Sequence, residues 1–411
     1  MLRWTKPSIG EGIVDVVLST NEQVRKLHNM DVDLTTYSHI KPTLKSFDEI
    51  GSKLDMIDNG IRDIQGHPGQ YMREMVKAMR YYARFLQGDT ISYTEMIDAI
   101  QQLPCDLIPE EKGQELKEKL DSQLSDFGYK GTLKEKADRW LADTRIPPDQ
   151  ITKVAENFIK LGKIGTLQRI VDLPQGDGID SINPIQNVFW SGLSVYTGNF
   201  RGNLTFNIER PWSEPTFAQV LTHEAYPGHQ TFYCRWDYLY QQGLLPIEAS
   251  YYYINSPTNA LFEGAPETAL HFLGWDNEEE ESPEMPLEAK KRYRAARNFL
   301  DIQRIAQTNA CYLVNVHGMS KDDVLQYMMR VGLFNQLEAE NTYKYFTHPT
   351  QKYYYPTYYH GRWIVWKAYD LIPKEKRSDF FKILYDTPQT TNTFIEAIKK
   401  FTGTDFNPFK V

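Results

Sequence analysis

The stretch His223-Glu224-Ala225-Tyr226-Pro227-Gly228-His229 constrains this chain more than any other. Two histidines with a glutamate directly after the first supply what zinc-dependent hydrolysis requires: two neutral imidazole ligands and a carboxylate placed to act as a base. In the familiar HExxH arrangement the histidines stand four residues apart on one helix face. Here they stand six apart, which separates them by roughly 240° on an ideal helix of 3.6 residues per turn. A regular helix therefore cannot aim both at one ion. Pro227 and Gly228 relieve that conflict, because proline removes a backbone donor and glycine tolerates the φ/ψ values that a break demands. The alternative is a capped surface helix whose histidines and glutamate are unrelated, but it gives the Pro-Gly pair no role.

The pattern His-Glu-x-x-Pro-Gly-His resembles the signature of the bacterial domain-of-unknown-function family numbered eight-eight-five, whose members resemble zinc peptidases. The resemblance runs from about Tyr196 to the C-terminus. It implies His223 and His229 as zinc ligands and Glu224 as general base. A Glu-Gly pair after the histidine motif is similar to the family's second block and implies Glu263 as the third ligand. That block typically continues with Trp-Ala, whereas this chain has Ala265-Pro266. Glu267 and His271 follow Glu263 by four and eight residues on the same helix face, where either could hold a ligand by hydrogen bonding. Tyr358 with Gly361 is similar to a late Tyr-x-x-Gly element. Tyr358 and His360 are accordingly candidate donors to an oxyanion, and Arg362 a candidate for binding a substrate carboxylate through its planar fork; a tyrosine-rich stretch that simply packs is the other reading.

Charge and composition narrow the partners. A net charge of −8 without a basic stripe speaks against nucleic acid or an anionic membrane as the main partner. The three cysteines, Cys105, Cys234 and Cys311, form no CxxC pair, so neither a disulfide framework nor a thiolate zinc site is expected. Met1 to Pro7 contain no apolar signal-peptide core, and no apolar run reaches membrane-spanning length, which gives a cytoplasmic expectation.

The first 185 residues read as a helical N-terminal region and 186–411 as the metal-site region, with one continuous domain as the alternative. Met72, Met75, Met79, Ala83 and Leu86 keep helical spacing before Gly88. Ser92 with Glu95 and Thr132 with Glu135 predict capping boxes. Pro147-Pro148 predicts a helix ending near Gly162, and 172–187, with two prolines and two glycines, reads as a linker. Asn203 to Ile208 alternates as a strand does. If that strand lies at an edge, Asn203 and Thr205 can hold an extended substrate by backbone pairing; a plain half-buried strand is the other reading. The acidic run from Asp276 to Glu284 reads as a solvated loop, and a long helix is predicted from about Leu287 to Val316. Arg294, Arg297 and Asp301 on that helix form an ion-pair stripe or part of a family block.

These features predict a mainly α protein, a large helical zincin-like metallopeptidase fold with a small sheet beside the active-site helix. The function they favour is a Zn(2+)-dependent hydrolase of peptide bonds acting on a peptide or small amide. Hydrolysis of a non-peptide amide or ester, or non-catalytic binding on the same fold, are the alternatives. Glu224 argues against the last, because a structural zinc site fills its fourth position and needs no base.

Overall fold

Helical spacing of apolar residues, punctuated by Ser, Thr and Asn caps, produces a mainly α-helical chain. A computed structural model of the protein describes residues 2–28, 34–188 and 190–410. Both predicted capping boxes are present, opening helices Tyr93–Gln101 and Leu133–Asp143. The methionine stripe is buried along helix Gly66–Leu86. Pro147-Pro148 does introduce a helix, but it spans Ile151–Arg169 and passes straight through Gly162. Gly162 marks a close approach instead of a stop: a Cβ there would sit 2.7 Å from the carbonyl oxygen of Tyr226.

Among the described residues there are five short strands, β1 (Leu34–Thr36), β2 (Gly178–Ile185), β3 (Gly192–Gly198), β4 (Arg201–Asn207) and β5 (Tyr251–Tyr253). β1 and β5 pair with each other. The remaining three form a sheet in the order β2-β4-β3, with β4 parallel to β2 and antiparallel to β3. The stretch predicted as a linker therefore carries a strand. Its Pro184 is tolerated because β2 is an edge strand, where a missing N–H breaks no ladder on the open side.

One buried apolar cluster takes in residues from Ile9 to Phe406. None of the described helices is long and apolar enough to cross a membrane. Within this core, two helices carry the sequence blocks that follow the histidine motif, Asn259–Glu267 and Thr357–Asp370. They cross backbone to backbone at a pair of glycines. A Cβ on Gly361 would lie 2.0 Å from the Ala260 carbonyl oxygen, and one on Gly264 would lie 2.3 Å from that of Gly361. No side chain fits between them, so the crossing distance is set by glycine alone.

Gly361→Ala must therefore push the helices apart, and we expect a loss of at least about 1–3 kcal/mol, the usual scale of core overpacking. Gly51→Ala is the matched control. Gly51 lies inside helix Phe47–Ile61 with nothing within 4 Å of an added Cβ, so alanine should stabilise by about 0.5–1 kcal/mol. Urea unfolding midpoints of the two variants should move in opposite directions.

Candidate metal centre

The histidine motif is not a bulged helix but two helices joined by a tight turn. The first, Glu214–Glu224, is capped by Ser213 and ends on the motif glutamate. The second, His229–Gln241, begins on the second histidine. Between them run Ala225, the cis peptide Tyr226–Pro227, and Gly228. Gly228 N–H donates to the Thr222 carbonyl at 3.0 Å. A Cβ on Gly228 would fall 1.7 Å from the His223 carbonyl oxygen, so only glycine passes here. The break frees each imidazole from the 240° constraint, and the rings meet edge to face with centroids 4.8 Å apart.

Both histidines turn toward Glu263 on helix Asn259–Glu267. His223 Nε2 is 3.2 Å from Glu263 Oε2, and His229 Nε2 is 3.4 Å from Glu263 Oε1. One ligand atom from each of the three buried residues lies within 4.8 Å of the others. A tetrahedral ion with bonds of about 2.0–2.1 Å needs donor atoms about 3.3 Å apart, and each histidine stands at about that distance from one or the other oxygen of Glu263. Glu263 Oε2 is buried and has His223 Nε2 as its near polar neighbour.

The electrostatics agree with this geometry. Burial opposes the charge on His223, yet hydrogen bonding and attraction from Glu263, with Glu224 and Glu267 beyond it, outweigh burial and push its pKa up to about 9. Burial likewise opposes the charge on Glu263, but the two imidazoles hold its carboxyl well below the ordinary range.

Glu224 lies beside the triad on the wall of a cavity of about 400 Å³. Burial raises its pKa above the usual carboxylate value, while the positive character of the two histidines pulls the other way. Strand β3 passes directly over it: a Cβ on Gly192 would sit 3.2 Å from Glu224 Oε1. Tyr358 also lines this cavity, its ring stacked on His223 at 6.3 Å.

Glu267 lies against the far side of the His223 ring. Its Oε1 is 3.4 Å from His223 Nδ1 and receives the Arg304 guanidinium at 2.5 Å. Arg304 and Tyr354 are functional candidates that reading the chain missed. Tyr354 donates to Glu263 Oε1, but it lies in a turn before its helix, where periodicity gives no clue. Arg304 was open to detection, since it continues the series Arg294, Arg297, Asp301 by one more step of three.

Several expected site residues lie elsewhere. His360 is two positions after Tyr358, roughly 200° away round the helix. It faces Tyr312, whose hydroxyl is 2.9 Å from its Nε2, and burial drives its pKa down to about 3. Arg362 is on the Tyr358 side but buried, donating to the Glu267 carbonyl at 2.8 Å and to Asp301 at 3.1 Å. It braces helix Asn259–Glu267 and does not line the cavity. Asn203 and Thr205 lie on β4, whose two edges are already taken by β2 and β3. Of the three strands in that sheet, the one that lines the cavity, through Gly192 to Tyr196, is β3. His271 sits outside the cavity, with Nδ1 3.2 Å from Asp276 and Nε2 3.1 Å from Asp370. Asp276, in the run predicted to be solvated, is in fact fully buried against Arg297 at 2.7 Å.

No protein-family profile matches this chain, and no functionally curated protein matches it either. Solved structures share its fold. A candidate lipoprotein from Colwellia psychrerythraea aligns over 86% of this chain and 59% of its own length, with TM-score 0.57 and 12% identity. A candidate lipoprotein of unknown function from Shewanella oneidensis aligns over 88% and 68%, with TM-score 0.52 and 14% identity. This chain thus spans about three fifths of the Colwellia protein.

Two predictions follow from this geometry. Glu263→Ala should lose zinc nearly as completely as His229→Ala, whereas Glu267→Ala should weaken binding only about 10–100-fold, the scale of a residue that orients a ligand; competition with a chromogenic chelator measures both, and the reverse order would make Glu267 the ligand. The other concerns His271, whose pKa is pushed up to about 9 because Asp276 and Asp370 outweigh the opposing effect of burial. A raised histidine stabilises fully below its unfolded pKa of about 6.5 and loses that contribution as pH rises through about 9. His271→Gln should therefore be less stable than the parent by on the order of 2–3 kcal/mol at pH 6, with the gap closing by pH 10 in urea titrations.

Proposed function

We propose that this protein is a zinc-dependent hydrolase cleaving peptide bonds, built on a zincin-like helical fold and related to the family that the His-Glu-x-x-Pro-Gly-His pattern resembles. The observation that supports it most is the convergence of His223, His229 and Glu263 beside a buried Glu224 that is not part of the triad. A purely structural site has no use for that fourth group.

His223, His229 and Glu263 would hold the ion, with Glu267 fixing the His223 ring through its Nδ1 and Tyr354 steadying Glu263. A bound zinc would polarise the scissile carbonyl and lower the pKa of water from about 15.7 to near 7. Glu224 takes a proton from the attacking water at its carboxylate and passes it to the leaving nitrogen. Burial, which raises its pKa above the usual carboxylate value, suits it to returning the proton as well as accepting it. The Tyr358 hydroxyl, on a ring stacked against His223, donates to the oxygen on which negative charge develops. β3 supplies the outer strand along which an extended peptide lies, the role that β4 cannot fill.

Glu224→Gln keeps size and hydrogen bonding but cannot accept a proton. It should retain one zinc per chain, measured by atomic emission, and lose about 10²-fold or more in peptide cleavage. An active Glu224→Gln enzyme would place the base elsewhere.

A further inference from the structure

Four residues, one from each of four helices, close a ring of contacts that includes the first histidine. His223 lies in the last turn of helix Glu214–Glu224, and Glu267 ends helix Asn259–Glu267. Arg304 belongs to helix Leu287–Asn315, and Tyr358 to the start of helix Thr357–Asp370. Glu267 Oε1 stands 3.4 Å from His223 Nδ1, and the Tyr358 ring stacks on the imidazole with centroids 6.3 Å apart. Arg304 joins the other two ends. Its Nη2 is 2.5 Å from Glu267 Oε1, and its guanidinium carbon lies 4.4 Å from the centre of the Tyr358 ring.

The guanidinium is held at each of its nitrogens. Besides the Nη2 contact, Nε donates to Glu267 Oε2 at 3.4 Å and Nη1 donates to Gln307 Oε1 at 3.4 Å. The plane of the head is therefore fixed. Tyr358 has less support from its own segment. It is the second residue of its helix, and its N–H reaches the Tyr355 carbonyl only at 3.4 Å. The Tyr354 and Tyr355 rings, each 5.7 Å from it, belong to the turn just before that helix. Arg304 holds the ring from a different helix. Neutralising Glu267 asks only for a positive charge, whereas pairing with a carboxylate and covering an aromatic face at once asks for a planar cation.

We infer that Arg304 is the positioning residue for Tyr358: it keeps the tyrosine hydroxyl in register with His223, so that the donor to the developing negative charge and the first histidine are placed as one unit. The inference rests on the hydrolase reading above, and it assigns Arg304 an action through Tyr358 and Glu267.

The test is a double-mutant cycle read in binding. Zinc-loaded protein is titrated calorimetrically with a phosphonamidate peptide, whose tetrahedral anionic group mimics the charge that develops during hydrolysis. The matching uncut peptide is titrated into the same variants carrying Glu224→Gln. Tyr358→Phe should weaken the phosphonamidate about 10–100-fold, the scale of a hydrogen bond to a charged group. Arg304→Met should weaken it nearly as much, and the double variant by no more than about threefold beyond Tyr358→Phe alone, because residues that act as a unit are not additive. The phosphonamidate should lose at least about tenfold more than the uncut peptide, a selectivity that a general loss of packing does not produce. The single ammonium of Arg304→Lys serves Glu267 or the ring but not both. That variant should hold zinc within about threefold of wild type by chelator competition, yet weaken the phosphonamidate about tenfold. Thermal melting shows that each variant is folded, and Arg304→Lys carries the cycle if Arg304→Met does not fold. Additive losses, equal losses for phosphonamidate and peptide, or an Arg304→Lys protein that binds the phosphonamidate like wild type would overturn the assignment. Such results in a protein that cleaves peptides leave the hydrolase reading standing. The expected coupling in a protein that cleaves none sustains the role of Arg304 and defeats the hydrolase reading. Failure of wild type to bind the phosphonamidate at millimolar concentration overturns both.

Discussion

The contact on which the rest of the centre depends is the glycine crossing of helices Asn259–Glu267 and Thr357–Asp370. With Gly264 and Gly361 in backbone contact, the first helix delivers Glu263 and the second delivers Tyr358 to the same cavity. A wider crossing would separate the carboxylate from the tyrosine. Arg362, one turn beyond Tyr358, fastens the same pair by donating to the carbonyl of Glu267. Its hold on Asp301 ties both to the long helix Leu287–Asn315. Three helices are thus locked by one contact without side chains and one buried guanidinium.

Around that frame the charges are arranged in layers. The triad is ringed by groups that each touch one of its members: Glu267 against His223, Tyr354 against Glu263. Arg304 forms the next layer, joining Glu267 to the face of the Tyr358 ring. Such layering restricts rotation of each side chain and fixes which ring nitrogen faces inward. The acidic run after His271 serves a separate network, in which Asp276 is matched by His271 and Arg297 away from the cavity.

Much of this was open to reading in the chain because the informative signals were local. Helix caps need only a residue and its neighbour three positions on, and Ser92 and Thr132 obey that rule. The conflict of six-residue histidine spacing with helical geometry pointed to a break at Pro227-Gly228, and the chain does break there. What escaped were relations between distant segments. Whether a strand is central or at an edge depends on partners, so β4 gave no hint that β2 and β3 flank it. His360 and Arg362 look alike as neighbours of Tyr358, yet their directions depend on where the helix starts and on what it meets. Gly162 resembled a helix stop because nothing nearby announces the Tyr226 carbonyl packed against it.

That packing has a consequence for how the molecule can be divided. The turn holding Pro227 and Gly228 is backed by residues from far upstream: Gly162 receives the Tyr226 carbonyl, and Asp177 accepts from the Tyr226 hydroxyl at 2.8 Å and from Gln230 at 3.1 Å. Lys163 anchors Asp177 in turn, at 2.8 Å. A fragment trimmed to the part of the sequence that carries the motif would keep His223, His229 and Glu263 and lose the wall that shapes the turn. The upstream helices are a mould for the motif, and grafting the seven-residue stretch onto another scaffold would require copying that mould as well.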